Sequence, residues 1–188
     1  MNRMKAVVIY SSKRGATKRY AEWIAEDLGC DCIPLATCDV HSLEQFDVIV
    51  YGGWLRGSGI VGFDKFREAI SDLGDRLVVF CDGISNDTAE NFEQIVDINL
   101  GENENSIPIF FLSGAYDPSK VTGIDKMMMS VAKHVVVSGS TGGIEGEKEA
   151  FSMKDIIEHG RDMVERDNIK DVVAAAKQIE KSSGRSGN

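Results

Sequence analysis

The residues best suited to chemistry in this 188-residue chain form a turn near its start, Ser-Ser-Lys-Arg-Gly-Ala-Thr at positions 11–17. Its hydroxyls can donate hydrogen bonds, its two cations attract anions, and Gly15 lets a ligand approach the backbone closely. An apolar run precedes the turn and helical spacing follows it, so its N–H groups are expected at a helix N-terminus, where anions bind. The turn therefore favours a phosphate site. An ordinary strand-to-helix turn is the alternative, because the Gly-Lys-Ser/Thr of the P-loop is missing.

Two more segments with unusual composition follow predicted strands. Residues 52–59 carry four glycines and one large aromatic side chain, Trp54, and they predict a flexible loop. Residues 81–86 form a small polar turn. Ligands of open parallel sheets bind beyond the carboxyl ends of the strands, so both segments and the phosphate turn are expected to meet there. Together they favour a phosphorylated planar ligand, with Trp54 either beside its ring or acting as a partly buried anchor of the loop.

The elements that would position these segments follow from the hydrophobic pattern. Five apolar runs predict strands, at residues 6–10, 30–35, 48–51, 77–81 and 107–112. The runs are nearly continuous in Val, Ile and Phe, as expected when helices cover both faces of a parallel sheet. Helical spacing between the runs and near residues 169–179 supplies those helices. The pattern predicts an α/β protein with a doubly wound, five-stranded parallel sheet.

Length and charge limit the number of domains, the partners and the location. A 188-residue chain that is 43% hydrophobic predicts one domain at 1–181, with an extra helical insertion near 145–166 and a flexible tail at 182–188. The net charge of −9 argues against nucleic acid as a partner. No apolar run reaches the roughly 18 residues of a membrane span, and the first is too short for a signal peptide, so we expect a cytoplasmic protein.

Three other patterns resemble functional sites. Cys30 and Cys32 share one face of a predicted strand, and the histidines lack ligand or triad spacing, so neither metal nor disulfide chemistry is expected. The Gly-x-Gly-x-x-Gly at 57–62 follows the third strand rather than the first, which disfavours nicotinamide binding. An apolar helix predicted around Met127 either packs in the core or docks on a quinone-bearing membrane or a redox partner.

Across nearly its whole length the chain resembles the flavodoxin-like FMN-binding family. Within that family it is most similar to the branch that contains the menaquinone-dependent protoporphyrinogen oxidases. The similarity is carried by Tyr-Ser-Ser-Lys-Arg-Gly-Ala-Thr at 10–17, Gly-Gly-Trp-Leu-Arg-Gly at 52–57 and Phe-Leu-Ser-Gly-Ala-Tyr at 111–116. The resemblance implies strand order 2-1-3-4-5 and non-covalently bound FMN.

Three groups of FMN contacts are implied by the same resemblance. The phosphate would be surrounded by Ser11, Ser12, Arg14, Gly15, Ala16 and Thr17. One side of the isoalloxazine ring would be bordered by Gly53, Trp54, Leu55 and Arg56. The other side would be approached by Cys81, Asp82 and Gly83.

The expected function is FMN-dependent electron transfer to or from a redox partner protein or a quinone, because the flavin itself carries the redox chemistry. One alternative is a quinone-dependent oxidase of protoporphyrinogen or a related substrate. Another is a flavodoxin-shaped interaction module without flavin. The sequence identifies no catalytic residue, and it leaves open the choice between carrier and enzyme, peripheral membrane contact and the oligomeric state.

Overall fold

The computed structural model of this protein describes residues 5–70, 74–84, 89–100, 106–123, 125–127, 129–131 and 153–183. Five parallel strands form its central sheet in the order β2-β1-β3-β5-β6, and a short β4 pairs antiparallel with the end of β3. The strands are β1 (Ala6–Ser11), β2 (Asp31–Pro34), β3 (Val48–Arg56), β4 (Gly59–Ile60), β5 (Leu77–Gly83) and β6 (Ile109–Ser113). This architecture confirms the predicted doubly wound α/β fold and its strand order.

Helices cover both faces of the sheet, so successive residues of each strand enter opposite halves of the core. The described helices are α1 (Ala16–Leu28), α2 (Phe63–Ala69), α3 (Ala89–Asn99) and α4 (Lys170–Ser183). Val8 and Val50 belong to the half that contains α1 and α4, whereas Ile9 and Ile49 belong to the half that contains α2 and α3. All four side chains are fully buried. Burial on both faces explains why the strand sequences are continuously apolar.

The third strand is five residues longer than its apolar run, and the prediction of a flexible loop is wrong for residues 52–56. Packing requires glycine at positions 52 and 53. A Cβ at Gly52 would collide with the ring of Phe80 on β5, and one at Gly53 would lie 2.6 Å from a side-chain atom of Ile60. The glycines therefore bring neighbouring elements close together, and the strand continues through them.

The glycine hexad at 57–62 forms the return from β3 into β4. Asn99 at the end of α3 holds this hairpin: its side-chain oxygen accepts a hydrogen bond from the Ile60 N–H (2.7 Å), and its side-chain nitrogen donates to the Ser58 carbonyl (2.7 Å). Gly62, with φ of 85°, precedes α2. The hexad thus forms an antiparallel hairpin that leads into α2.

Chain segments after β6 cover the carboxyl edge of the sheet. β7 (Ala115–Tyr116) pairs antiparallel with β8 (Arg161–Asp162), and residues 153–159 are helical. Residues 145–152 of the predicted insertion, residues 132–137 of the predicted apolar helix and residues 184–188 of the predicted tail lie outside the described residues, while positions 182 and 183 end α4. The division into one domain with an insertion stays a prediction.

On the apolar segment near position 127, Met127 and Val131 are 65% and 58% exposed. No helix within the described ranges is long and apolar enough to cross a membrane.

Replacing Gly52 by alanine should destabilise the fold by about 1–3 kcal/mol, because the added methyl group overlaps the Phe80 ring in a packed core. Gly59→Ala is the matched control, since a Cβ there meets only the Arg56 carbonyl oxygen at 3.7 Å. The free energy of unfolding of Gly59→Ala should stay within about 0.5 kcal/mol of the wild-type value. Urea unfolding followed by circular dichroism measures both, and equal midpoints for the two variants would contradict the packing argument.

Candidate functional site

A cleft opens at the carboxyl edge of the sheet, between the β1–α1 turn, the ends of β3 and β5, and the segment that follows β6. Tyr116, Val121 and Met129 line its far wall. Eight of the thirteen residues implied by the resemblance line it as well: Arg14, Ala16, Thr17, Trp54, Leu55, Arg56, Asp82 and Gly83. The fold therefore brings the β1–α1 turn, the end of β3 and the end of β5 together along this cleft.

The remaining five implied residues lie elsewhere. Ser11, Ser12 and Gly15 line a neighbouring cleft on the β2 side of the turn. Gly53 is buried in the sheet, and the Cys81 side chain is fully buried on the α2 and α3 side of the core. Burial raises the pKa of the Cys81 thiol well above its usual range, so this thiol stays protonated. The roles assigned to all thirteen residues stay predictions.

The first turn of α1 bears on the predicted phosphate site. Gly15 is the N-cap residue of α1, with φ of 99°, and it has no side chain that could cap the helix. Its own N–H donates a hydrogen bond to the Ser12 hydroxyl oxygen at 3.2 Å. The first N–H groups of this thirteen-residue helix thus have no capping side chain. The helix dipole adds positive potential at the same point. The phosphate-binding role of this turn stays a prediction.

Three cations gather around the indole ring of Trp54. The Arg56 guanidinium carbon lies 5.0 Å from the ring centroid, the Lys13 ammonium 5.6 Å and the Arg14 guanidinium carbon 5.9 Å. Cations within about 6 Å of an aromatic ring are attracted by its quadrupole. Trp54 is half-buried, so part of its surface stays free to contact a ligand.

The same cations converge on the carboxylate of Asp125, which the sequence analysis did not identify. One oxygen of this group accepts hydrogen bonds from Lys13 (2.5 Å) and Arg14 (2.7 Å), and the other lies 3.7 Å from the Arg56 guanidinium. Hydrogen bonding from Lys13 and Arg14 lowers the pKa of Asp125, so the carboxylate is charged at neutral pH. The cluster carries three positive charges against one negative charge.

Asp82 is the most unusual polar group of the cleft. The residue is only 4% exposed, and the Thr17 hydroxyl lies nearby. Its Oδ1 atom has no hydrogen-bond partner among the described residues. Burial raises the pKa of the carboxyl group to about 6, although the nearby Thr17 hydroxyl opposes the shift. A buried carboxylate oxygen without a donor is costly, which marks this position as one under a functional constraint.

Comparison with known proteins gives one family match. Residues 7–141 match the family described as the Flavodoxin domain. No sequence among curated proteins matches this chain significantly.

Solved structures with a similar fold include a flavodoxin from the domain Archaea, with 16% identity, a TM-score of 0.46, and coverage of 83% of this chain and 100% of that one. A WrbA-like flavodoxin from Agrobacterium tumefaciens has 20% identity and a TM-score of 0.41, covering 56% and 82%. Flavodoxin 2 from Bacillus cereus has 19% identity and a TM-score of 0.41, covering 58% and 85%.

The burial of Asp82 predicts a pH-dependent cost to stability. The folded carboxyl keeps its proton up to a pKa of about 6, whereas an unfolded aspartate loses it near pH 3.9. The protonated Asp82 therefore contributes its full stability to the fold below the pKa of the unfolded state. This contribution is lost as pH rises through the pKa of the folded state. Relative to Asp82→Asn, the wild-type free energy of unfolding should fall by about 2–3 kcal/mol between pH 4 and pH 7.5.

Urea titrations of both proteins at several pH values measure this difference. Asp97→Asn, which changes an exposed carboxylate on α3, is the control and should follow the wild-type profile. Parallel profiles for wild type and Asp82→Asn would show that Asp82 ionises normally in the folded protein.

Proposed function

Because this chain belongs to the flavodoxin family, we propose that it binds FMN non-covalently in the described cleft and transfers electrons. One observation carries the proposal: a single cleft joins the N-terminal end of α1, which lacks a side-chain cap, to the half-buried ring of Trp54. An anion site and an aromatic surface in one cleft suit a ligand with a phosphate at one end and a planar ring at the other.

The charges of the cluster around Asp125 fit such a ligand. Lys13, Arg14 and Arg56 exceed the single negative charge of Asp125 by two. A phosphate monoester carries about −1.5 to −2 at pH 7, so it would bring this cluster close to neutrality. Arg14 and Lys13 also belong to the turn that leads into α1, which places the excess charge beside the helix N-terminus.

When bound, FMN supplies the redox chemistry, and the residues of the chain supply binding, orientation and exclusion of water. In the proposal the N–H groups of α1 and the cations at 13 and 14 hold the phosphate. Trp54 and Leu55 border the ring. Val121 and Met129 cover the cleft from the segment after β6. No acid or base of the protein is required for electron transfer itself.

The visible absorption spectrum of gently purified protein tests the proposal directly. We expect a flavin spectrum, with FMN identified by chromatography of the released chromophore at close to one equivalent per chain. A colourless protein that also fails to take up added FMN would contradict electron transfer and favour the interaction module without flavin.

The two tryptophans of the chain provide a matched pair for testing the ring site. Trp54→Leu should weaken FMN binding by roughly 3- to 10-fold, because aromatic stacking contributes about 0.5–1.5 kcal/mol beyond area burial. Trp23 lies on α1 against Arg19 and outside the cleft, so Trp23→Leu should leave the FMN affinity unchanged. Fluorescence titration measures both dissociation constants. Equal FMN dissociation constants for the two variants would mean that Trp54 anchors the chain and does not contact the flavin ring.

A second candidate is the quinone-dependent oxidase, and one observation favours it. A further cleft adjoins the first at Arg14, Ala16 and Tyr116, and besides His159 four cationic side chains line it: Arg14, Arg19, Lys120 and Arg161. These cations would suit an organic substrate with carboxylates, although Asp117 and Asp162 offset part of their charge. Turnover of protoporphyrinogen with menaquinone as acceptor separates the candidates, because a pure electron carrier would not support it.

A further inference from the structure

We propose that the cations around the cleft form a docking surface for a protein partner with a carboxylate-rich face. The inference rests on the proposed function, because it concerns the partner with which a bound flavin would exchange electrons. It is carried by the uneven distribution of charge over the described residues and by two exposed apolar side chains beside the cleft.

Cationic side chains concentrate at the carboxyl edge of the sheet, although the chain as a whole is acidic. The main cleft adjoins the cleft on the β2 side of the turn at Lys13, and the cleft beside β7 and β8 at Arg14. The three clefts are lined by four carboxylates and by eight cations: Lys13, Arg14, Lys18, Arg19, Arg56, Lys65, Lys120 and Arg161. This edge thus has an excess of four positive charges in a chain with a formal net charge of −9, so the remaining residues carry −13.

Part of this excess stays available after a phosphate has bound. In the proposed complex, the phosphate neutralises the cluster around Asp125, which contains three of the eight cations. The other five form a set that we call the basic rim: Lys18, Arg19, Lys65, Lys120 and Arg161. The rim therefore surrounds the cleft without being needed to hold the phosphate.

Carboxylates compensate the basic rim only in part. Three of its cations face a carboxylate, in the pairs Arg19–Asp162 (2.6 Å), Lys120–Asp117 (3.1 Å) and Lys18–Glu22 (3.6 Å). Lys65 and Arg161 are exposed, and neither forms an ion pair within the described ranges. They line different clefts, one on the β2 side and one beside the ribbon of β7 and β8. Two positive charges are thus available to pair with another molecule.

Two exposed apolar side chains lie beside the main cleft. Asp125 and Met129 line this cleft from a helical segment whose Met127 and Val131 are 65% and 58% exposed. Residues four apart share one face of a helix, so the two exposed side chains form a small apolar surface. Protein interfaces combine an apolar centre with a polar, charged periphery, and exposed methionine adapts to different partners. A docked protein would cover this pair while its carboxylates face the basic rim.

An acidic protein suits this surface better than other anionic partners do. A nucleic acid carries a charge at every phosphate, and the carboxylates paired with the rim would repel part of its backbone. A bilayer is flat, whereas the rim cations line concave clefts. The side chains of a folded partner can instead place single carboxylates opposite Lys65 and Arg161. Such complementarity raises the association rate and fixes the orientation of the partner.

The sign of a salt effect tests the basic rim in the flavin-loaded protein. Anaerobic stopped-flow spectroscopy follows oxidation of the reduced flavin by ferricyanide, a trianion. Two ferricyanide ions take up the two electrons of each reduced flavin, and its protons go to solvent. Attraction to the rim should make this rate fall roughly tenfold between about 10 and about 300 mM ionic strength, because salt screens the attraction. A field set by the net charge of −9 would make the rate rise instead.

Charge reversal separates the rim from the rest of the chain. Lys65→Glu and Arg161→Glu should each lower the ferricyanide rate at low salt by roughly threefold, and the differences should vanish at high salt. Lys177→Glu makes the same change in net charge on the exposed side of α4, outside the three clefts, and should keep the wild-type rate. The wild-type salt effect needs no variant, so it remains decisive if a variant misfolds.

Fluorescently labelled polyglutamate tests the class of partner in protein with or without flavin. At low ionic strength its anisotropy should rise on binding to the wild type and to Lys177→Glu. The double variant Lys65→Glu/Arg161→Glu should bind it at least about threefold more weakly. Cosedimentation with vesicles of phosphatidylcholine and phosphatidylglycerol, without binding of polyglutamate, would identify a bilayer as the partner and overturn the inference.

The outcomes separate the inference from the proposed function. If the ferricyanide rate rises with ionic strength, or if the rim variants behave like Lys177→Glu, the inference is wrong while flavin binding and electron transfer stand. If the protein binds no flavin, the proposed function fails, and polyglutamate binding still decides whether the rim selects a carboxylate-rich partner.

Discussion

Burial of the parallel sheet on both faces is the constraint on which the rest of this structure depends. With α1 and α4 on one side and α2 and α3 on the other, the strands have no room for polar side chains along their length. Polar groups can occur only where strands end and water returns. Asp82 follows five buried apolar residues of β5 and is the first polar group at that edge. The cleft is therefore a consequence of the way the core is packed.

The sequence predicted the parts of the fold that depend on local pattern. Continuous apolar runs located all five parallel strands, and the turn before α1 was recognised because its strand, glycine and helix are adjacent in the chain. The length of β3 was missed for a physical reason: glycines usually interrupt strands, but Gly52 is demanded by the Phe80 ring on a neighbouring strand. That demand is visible only when the two strands are side by side.

The site was harder to predict because its members act across long distances in the chain. Asp125 meets Lys13 after a separation of 112 residues, and nothing around Asp125 in the sequence marks it as a partner for the turn. Cys81 and Asp82 are neighbours, and the resemblance implies the same role for both. Strand alternation nevertheless directs the Cys81 side chain into the core and the Asp82 side chain to the cleft. Local patterns reveal where a site can form, whereas its electrostatics come from the tertiary structure.

The two-residue ribbon of β7 and β8 has a consequence for how this chain can diverge. Tyr116 pairs directly with Arg161, so the excursion through residues 117–160 leaves and re-enters the body of the protein at adjacent points. The entropy of closing such a loop changes only slowly with its length. Insertions or deletions between these points can accumulate without shifting the register of any parallel strand. The length of this excursion can thus change while the pairing of the parallel strands stays as it is.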